Sequence, residues 1–161
     1  MGARHLVGDP EPVAGDRLLR ADGGLKARQI PRSSLRNGFA VLTGEDAQFH
    51  EALSDGADGG ILASAHIETE TFARIRSLVV AGQRDAALSH WRSVADLTRL
   101  LFSEPSPAPI KYWLWRTGLI DSAEVRLPMT QVSAGLSARL DLEIPRRMLL
   151  STAGTDDHRV A

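Results

Sequence analysis

Phe39-Ala40-Val41-Leu42-Thr43, closed by Gly44-Glu45-Asp46, and Gly59-Gly60-Ile61-Leu62-Ala63-Ser64 are the stretches whose reading decides the fold. Each is a short apolar run next to glycine, which fits a strand buried in a parallel sheet. Between them, Glu45 and Asp46 suit the first turn of a helix. Ala47, Phe49, Ala52 and Leu53 follow on one helical face, and Gly56 is placed to cap the end. A strand, a helix and a strand joined by short connections make a parallel pair.

Downstream the chain changes character. Thr69 to Ala81 sets Phe72, Ile75, Leu78 and Val79 on one face and stops at Gly82. Arg84 to Ser103 repeats Leu88, Trp91, Val94, Leu97 and Leu101, which predicts a long amphipathic helix. Ser106-Pro107-Ala108-Pro109 breaks the chain and starts a third helix, Ile110 to Thr117, capped by Gly118. Pro128 precedes a fourth, with Thr130 as N-cap and Val132, Leu136 and Leu140 facing inward. Beyond Pro145 the tail is polar and is expected to fray.

Upstream, Pro31 to Gly38 reads as a loop and Gly23-Gly24-Leu25-Lys26-Ala27 as a short strand. Residues 1–22 read as a poorly ordered lead-in, with a short helix at Gly15–Ala21. The order is therefore two or three parallel strands followed by four helices. So small a sheet keeps two open edges, so the chain reads as part of something larger.

The bulk properties exclude several classes. Apolar residues make up 43% and charged residues 24% of the 161, an ordinary globular composition. A formal net charge of −1 gives no argument for a nucleic-acid or membrane-surface partner. There is no cysteine, so disulfides and thiolate metal sites are excluded. No apolar run reaches the ~18 residues that span a bilayer, and the first ten residues lack the apolar core of a secretory signal. The expected location is the cytoplasm. Of 19 basic residues only Lys26 and Lys111 are lysine, and only lysine can form a Schiff base.

Five segments, taken in order, carry a resemblance. They are Gly24-Leu25-Lys26, Val41-Leu42-Thr43-Gly44-Glu45-Asp46, Gly56-Ala57-Asp58-Gly59-Gly60-Ile61, Ser106-Pro107-Ala108-Pro109-Ile110-Lys111 and Arg126-Leu127-Pro128. In sequence and spacing they are similar to the dihydrodipicolinate synthase / N-acetylneuraminate lyase family, over about residues 23–140. No single segment is specific; the ordered set is. The resemblance implies an α/β fold, the C-terminal part of a (β/α)8 TIM barrel with about three parallel strands, followed by a C-terminal helical bundle. Leu25-Lys26 would lie on the sixth strand, Phe39–Thr43 on the seventh and Gly60–Ser64 on the eighth. The division expected is a lead-in over 1–22, a partial barrel over 23–82, the bundle over 83–142 and a polar tail over 143–161.

The resemblance also implies the chemistry. Lys26 matches the lysine that attacks the keto carbon of pyruvate or another 2-oxo acid, and the iminium so formed is an electron sink for making or breaking a carbon bond. Enclosure in a barrel would lower the amine's pKa and free its lone pair. Gly44 and Ile61 match positions lining the pocket near the imine and the substrate carboxylate. Glu45 and Asp46 fit helix-start charges better than catalytic carboxylates, and His66, after the last strand, fits a structural role better than a substrate contact. Lys111 reads as structural, and Trp91, Trp113 and Trp115 as core or interface. No metal-ligand cluster, phosphate loop or cofactor motif stands out.

The sequence also departs from that pattern. Nothing before the sixth strand is present, so the family's Thr/Ser-rich turn and relaying tyrosine have no counterpart; Tyr112 lies in a late helix. Ala27-Arg28 replaces the usual small or acidic neighbours of the lysine, Arg28–Gly38 leaves little room for a crossover helix, and Ser106 stands where Asn is usual. The expected function is a class I lyase acting on a 2-oxo acid, in truncated form and inactive alone. The expected partners are a small-molecule substrate and either a second copy in a homo-oligomer or a complementary N-terminal half. The alternative is a non-catalytic half-barrel or interaction module.

Overall fold

The computed structural model describes residues 17–21 and 39–154. Strands β1 (Arg17–Ala21), β2 (Phe39–Thr43) and β3 (Gly59–Gly60) form one sheet in the order β1-β2-β3, with both pairings parallel. Arg17 lies opposite Phe39 and Ala21 opposite Thr43; Leu42 lies opposite Gly59. Among the described residues five helices accompany them: α1 (Phe49–Ser54), α2 (Thr69–Val80), α3 (Arg84–Leu101), α4 (Ala108–Arg116) and α5 (Ala134–Gly154). Short 3-10 turns at Asp46–Gln48 and Ser64–His66 lead out of β2 and β3. Among the described residues no helix is long and apolar enough to cross a membrane.

Val41 sits at the centre of β2 with no exposed surface, as its place in an apolar run requires. The pairing toward β3 begins before the strand itself, because Asp58 Oδ2 accepts the Val41 N–H at 2.7 Å. The helices then pack in two connected groups. Phe49 and Leu53 of α1, Phe72 and Ile75 of α2 and Val94 of α3 form one, with the Phe72 ring tilted against Phe49 at 5.2 Å between centroids. Leu97 and Leu101 of α3, Ile110 and Trp113 of α4, and Leu136, Leu140 and Ile144 of α5 form the other. Successive turns of α3 thus serve both groups, so the strand-end loops and the later helices share a scaffold.

Four local expectations are corrected. Arg17–Ala21, expected within a disordered lead-in and as part of a short helix, is strand β1, because β2 offers it a ladder that an isolated stretch lacks. The strand expected through Ser64 ends at Gly60, since the amides of Ala63 and Ser64 go to the Asp46 side chain instead. The last helix starts at Ala134 and not after Thr130, because Ser133 Oγ accepts the Leu136 N–H and acts as the cap. That helix also runs on through Pro145 to Gly154, where a frayed polar tail was expected; Ile144 is buried immediately before the proline and Arg147 is anchored just after. Lys26 and the strand expected around it lie outside the described residues.

Candidate functional site

Parallel strands bring their C-terminal ends to the same side, so the residues following Thr43 and Gly60 become neighbours. The backbone joins them directly: Ile61 N–H donates to the Thr43 carbonyl at 2.9 Å. Gly44, the next residue along from Thr43, is half-buried, and Ile61 is 54% exposed, projecting from the end of the sheet. Two of the three residues singled out from the sequence are therefore adjacent at one rim, while the third, Lys26, is outside the described residues.

Three interactions fix this rim. The buried Thr43 hydroxyl accepts the Glu45 N–H at 3.1 Å, turning the chain sharply after Gly44. The Asp46 carboxylate, 2% exposed, accepts the N–H groups of Ala63 at 3.2 Å and Ser64 at 3.4 Å. It therefore closes the loop after β2 onto the loop after β3. Gly60 leaves room for this approach: a Cβ there would stand 3.1 Å from the Phe49 ring and 3.0 Å from Leu62. Sequence reading took Asp46 for a helix-start charge and missed this clasp. The only available signal was an acidic residue directly after an apolar strand, and its partners lie 17 and 18 residues away.

The other residues considered stand as follows. Glu45 caps the 3-10 turn through the Ala47 N–H. His66 is exposed at the end of the turn after β3. Lys111 donates to the Glu124 carbonyl, within the later helices. Tyr112 donates its hydroxyl to Asp141, 3.1 Å from either carboxylate oxygen, and Arg116 Nε reaches the same carboxylate at 2.7 Å. Burial, and then the neighbouring Asp141, pushes the Tyr112 phenol above its ordinary pKa. Tyr112 is thus a bridge between α4 and α5. The Ser64 hydroxyl is fully buried beside Asp46 and has no hydrogen-bond partner among the described residues. Among the described residues no cluster of His, Asp and Glu is placed to hold a metal ion.

Comparison with known proteins gives this arrangement a context. The pattern of the dihydrodipicolinate synthetase family matches residues 20–144. A 4-hydroxy-tetrahydrodipicolinate synthase of Clostridium acetobutylicum is 46% identical over 103 residues, 64% of this chain and 36% of that protein. The 4-hydroxy-tetrahydrodipicolinate synthase of Methylacidiphilum fumariolicum SolV superposes with a TM-score of 0.73 at 25% identity, covering 81% of this chain and 44% of that one. The dihydrodipicolinate synthase of Acinetobacter baumannii complexed with pyruvate superposes with a TM-score of 0.63 at 29% identity, covering 68% and 37%. The chain spans less than half the length of each of these relatives.

Proposed function

The chain belongs to the dihydrodipicolinate synthetase family, and from that premise we propose that it is the C-terminal part of a class I lyase that acts on pyruvate or a related 2-oxo acid through a Schiff base on Lys26. The observation that carries the reading is the adjacency of Gly44 and Ile61 at the C-terminal ends of parallel strands, inside the family match. Barrel enzymes do their chemistry at that end of the sheet. The relative complexed with pyruvate supports the substrate class.

In this reading β2 and β3 are the seventh and eighth strands of a (β/α)8 barrel, and α3 to α5 belong to its C-terminal helical bundle. The Lys26 amine attacks the keto carbon, and loss of water leaves an iminium. Electrons from the bond broken next to that carbon flow into the iminium. In the synthetic direction, loss of an α-proton gives an enamine that attacks an aldehyde. Gly44 gives the substrate room at the imine, and Ile61 excludes water from one side. The acid–base group would come from the strands that the relatives carry outside the matched segment. The location is cytoplasmic.

A second reading is favoured by the 54% exposure of Ile61 at the end of a three-stranded sheet. Left uncovered, that rim suits a non-catalytic half-barrel or an interaction module. One experiment separates the two. The chain is mixed with the N-terminal half of a family synthase, incubated with pyruvate and reduced with borohydride. A pyruvate adduct on Lys26, lost in Lys26→Ala, supports the lyase. An adduct that survives that substitution, or one on Lys111, overturns the assignment.

A further inference from the structure

Beneath the rim, buried polar side chains gather at the seam between the two hydrophobic groups. Ser64 lies in the turn after β3, and its neighbours divide. Ala63 packs against the group of Leu97 and Leu101, and Ala65 against the group of Phe49 and Val94. Thr98 divides α3 in the same way: Val94, one turn before it, belongs to the group of Phe49, and Leu101, one turn after it, to the other. Asp46 joins them from the turn after β2, which lies against α3. Ser64 has no exposed surface, Thr98 is 1% exposed and Asp46 2%.

The hydroxyls of Ser64 and Thr98 have no hydrogen-bond partner among the described residues. A threonine inside a helix can turn its hydroxyl onto the carbonyl four residues back, and Thr98 does not. A hydroxyl buried without a partner costs free energy comparable to a lost hydrogen bond. We infer that this seam is a binding site for a single water molecule, shared by the Ser64 and Thr98 hydroxyls beside the Asp46 carboxylate.

The balance of donors and acceptors selects water over other small ligands. Asp46 already receives the amides of Ala63 and Ser64, so a cation would enter against two N–H groups aimed at the same carboxylate. An anion would meet the carboxylate itself. An apolar molecule would leave both hydroxyls unbonded. Water donates and accepts, and each hydroxyl can play either part. Buried waters typically make about three hydrogen bonds to groups of this kind. The bridge has a mechanical consequence. Ser64 belongs to the loop that carries Ile61, and Thr98 to the helix common to both hydrophobic groups. Thr98 is therefore a positioning residue, which steadies the rim through the water.

The test measures oxygen-17 relaxation dispersion of water over the full chain. That signal counts molecules held longer than the protein tumbles, and exchanging hydroxyl protons do not enter it. Ser64→Ala and Thr98→Val should each remove one such molecule, and Thr98→Ser should keep it. The double variant Ser64→Ala, Thr98→Val should lose one molecule, not two. Its fall in urea midpoint should be smaller than the sum of the single falls, because the same bridge is lost each time. An unchanged count in the folded single variants would overturn the proposal. So would a loss of two in the double variant, which means separate waters, or coupled midpoints with no water lost, which means that the hydroxyls bond each other directly. If the variants unfold, the unaltered chain decides: an oxygen-17 profile without a long-lived water, or no cross-relaxation between water and the Thr98 methyl and Ser64 amide, rejects the site.

Discussion

Asp46 accepts a hydrogen bond from the backbone of Ala63 at 3.2 Å, although the two residues lie in different loops. With the Ser64 bond at 3.4 Å it makes a buried carboxylate the clasp between the ends of β2 and β3. The loops carrying Gly44 and Ile61 are therefore held at a fixed separation by a side chain that contributes nothing to the exposed rim.

Asp46→Ala should lower stability by about 2–4 kcal/mol, because it leaves two backbone donors without their acceptor in a buried setting. Asp46→Asn keeps one acceptor oxygen and should cost less. Urea unfolding followed by circular dichroism measures both. A native midpoint for Asp46→Ala would show that the clasp does not stabilise the fold.

Gly60→Ala should destabilise by about 1–3 kcal/mol through overpacking. The added methyl would stand against Leu62 and the Phe49 ring, and Phe49 is itself buried in the core. Gly82→Ala makes a useful contrast, since nothing lies near its Cβ and only its left-handed backbone (φ 74°) opposes the change. Thermal melts of the two should separate crowding from conformation: adding Phe49→Leu should restore part of the Gly60→Ala loss and none of the Gly82→Ala loss.

The core should be most sensitive where α3, α4 and α5 meet. Leu140 has no exposed surface there, so Leu140→Ala should cost about 2–5 kcal/mol. Amides of α3 near Leu97 and Leu101 should exchange with solvent more slowly than those of the segment 119–131. Equal exchange rates would contradict a core centred on these helices.

His50 gives the chain a pH response of defined sign. Its Nε2 is buried without a partner among the described residues, and burial lowers its pKa below the ordinary 6.5. The neutral ring is the form that the fold accepts. The stability this contributes is present above pH 6.5 and is lost as the pH falls below it toward the folded-state pKa. By NMR the His50 ring should titrate below 6.5, and His50→Gln should flatten the acid side of the stability profile. A His50 pKa at or above 6.5 would remove the effect.

How much of this could be read in the sequence depended on how local each cause is. Phe39–Thr43 was legible because an apolar run beside glycine already specifies a buried strand. Arg17–Ala21 was not, because two arginines flank Leu18-Leu19 and only the neighbouring β2 makes the stretch extended. Thr130 and Ser133 look equivalent as caps until Glu104, 29 residues away, holds Ser133 in place. Gly44 and Ile61 could be paired through their family resemblance, whereas Asp46, whose partners are backbone amides of a distant loop, leaves no pattern to find.

Pro145 shows the same limit, and it leads to a prediction about the last helix. A proline within a helix removes one hydrogen bond and normally breaks or kinks it, yet α5 continues to Gly154. What holds the continuation is Arg147: its Nε meets Glu143 at 2.8 Å and its Nη1 meets Glu68 at 3.4 Å. All three side chains are at most 22% exposed, so solvent screens them little. Glu68 stands just ahead of α2, in the connection that follows β3 and Ile61, so the pair ties the end of α5 to the site rim. Removing Arg147 would leave two carboxylates facing a half-buried gap, and breaking such a pair from one side is the costly direction. Arg147→Ala should therefore destabilise by about 1–3 kcal/mol, with faster amide exchange at Arg146 to Leu149 before any other helix changes. Adding Glu68→Gln to Arg147→Ala should recover part of the loss. Strict additivity of the two substitutions would mean that the ion pair holds nothing together and that α5 passes Pro145 on its core contacts alone.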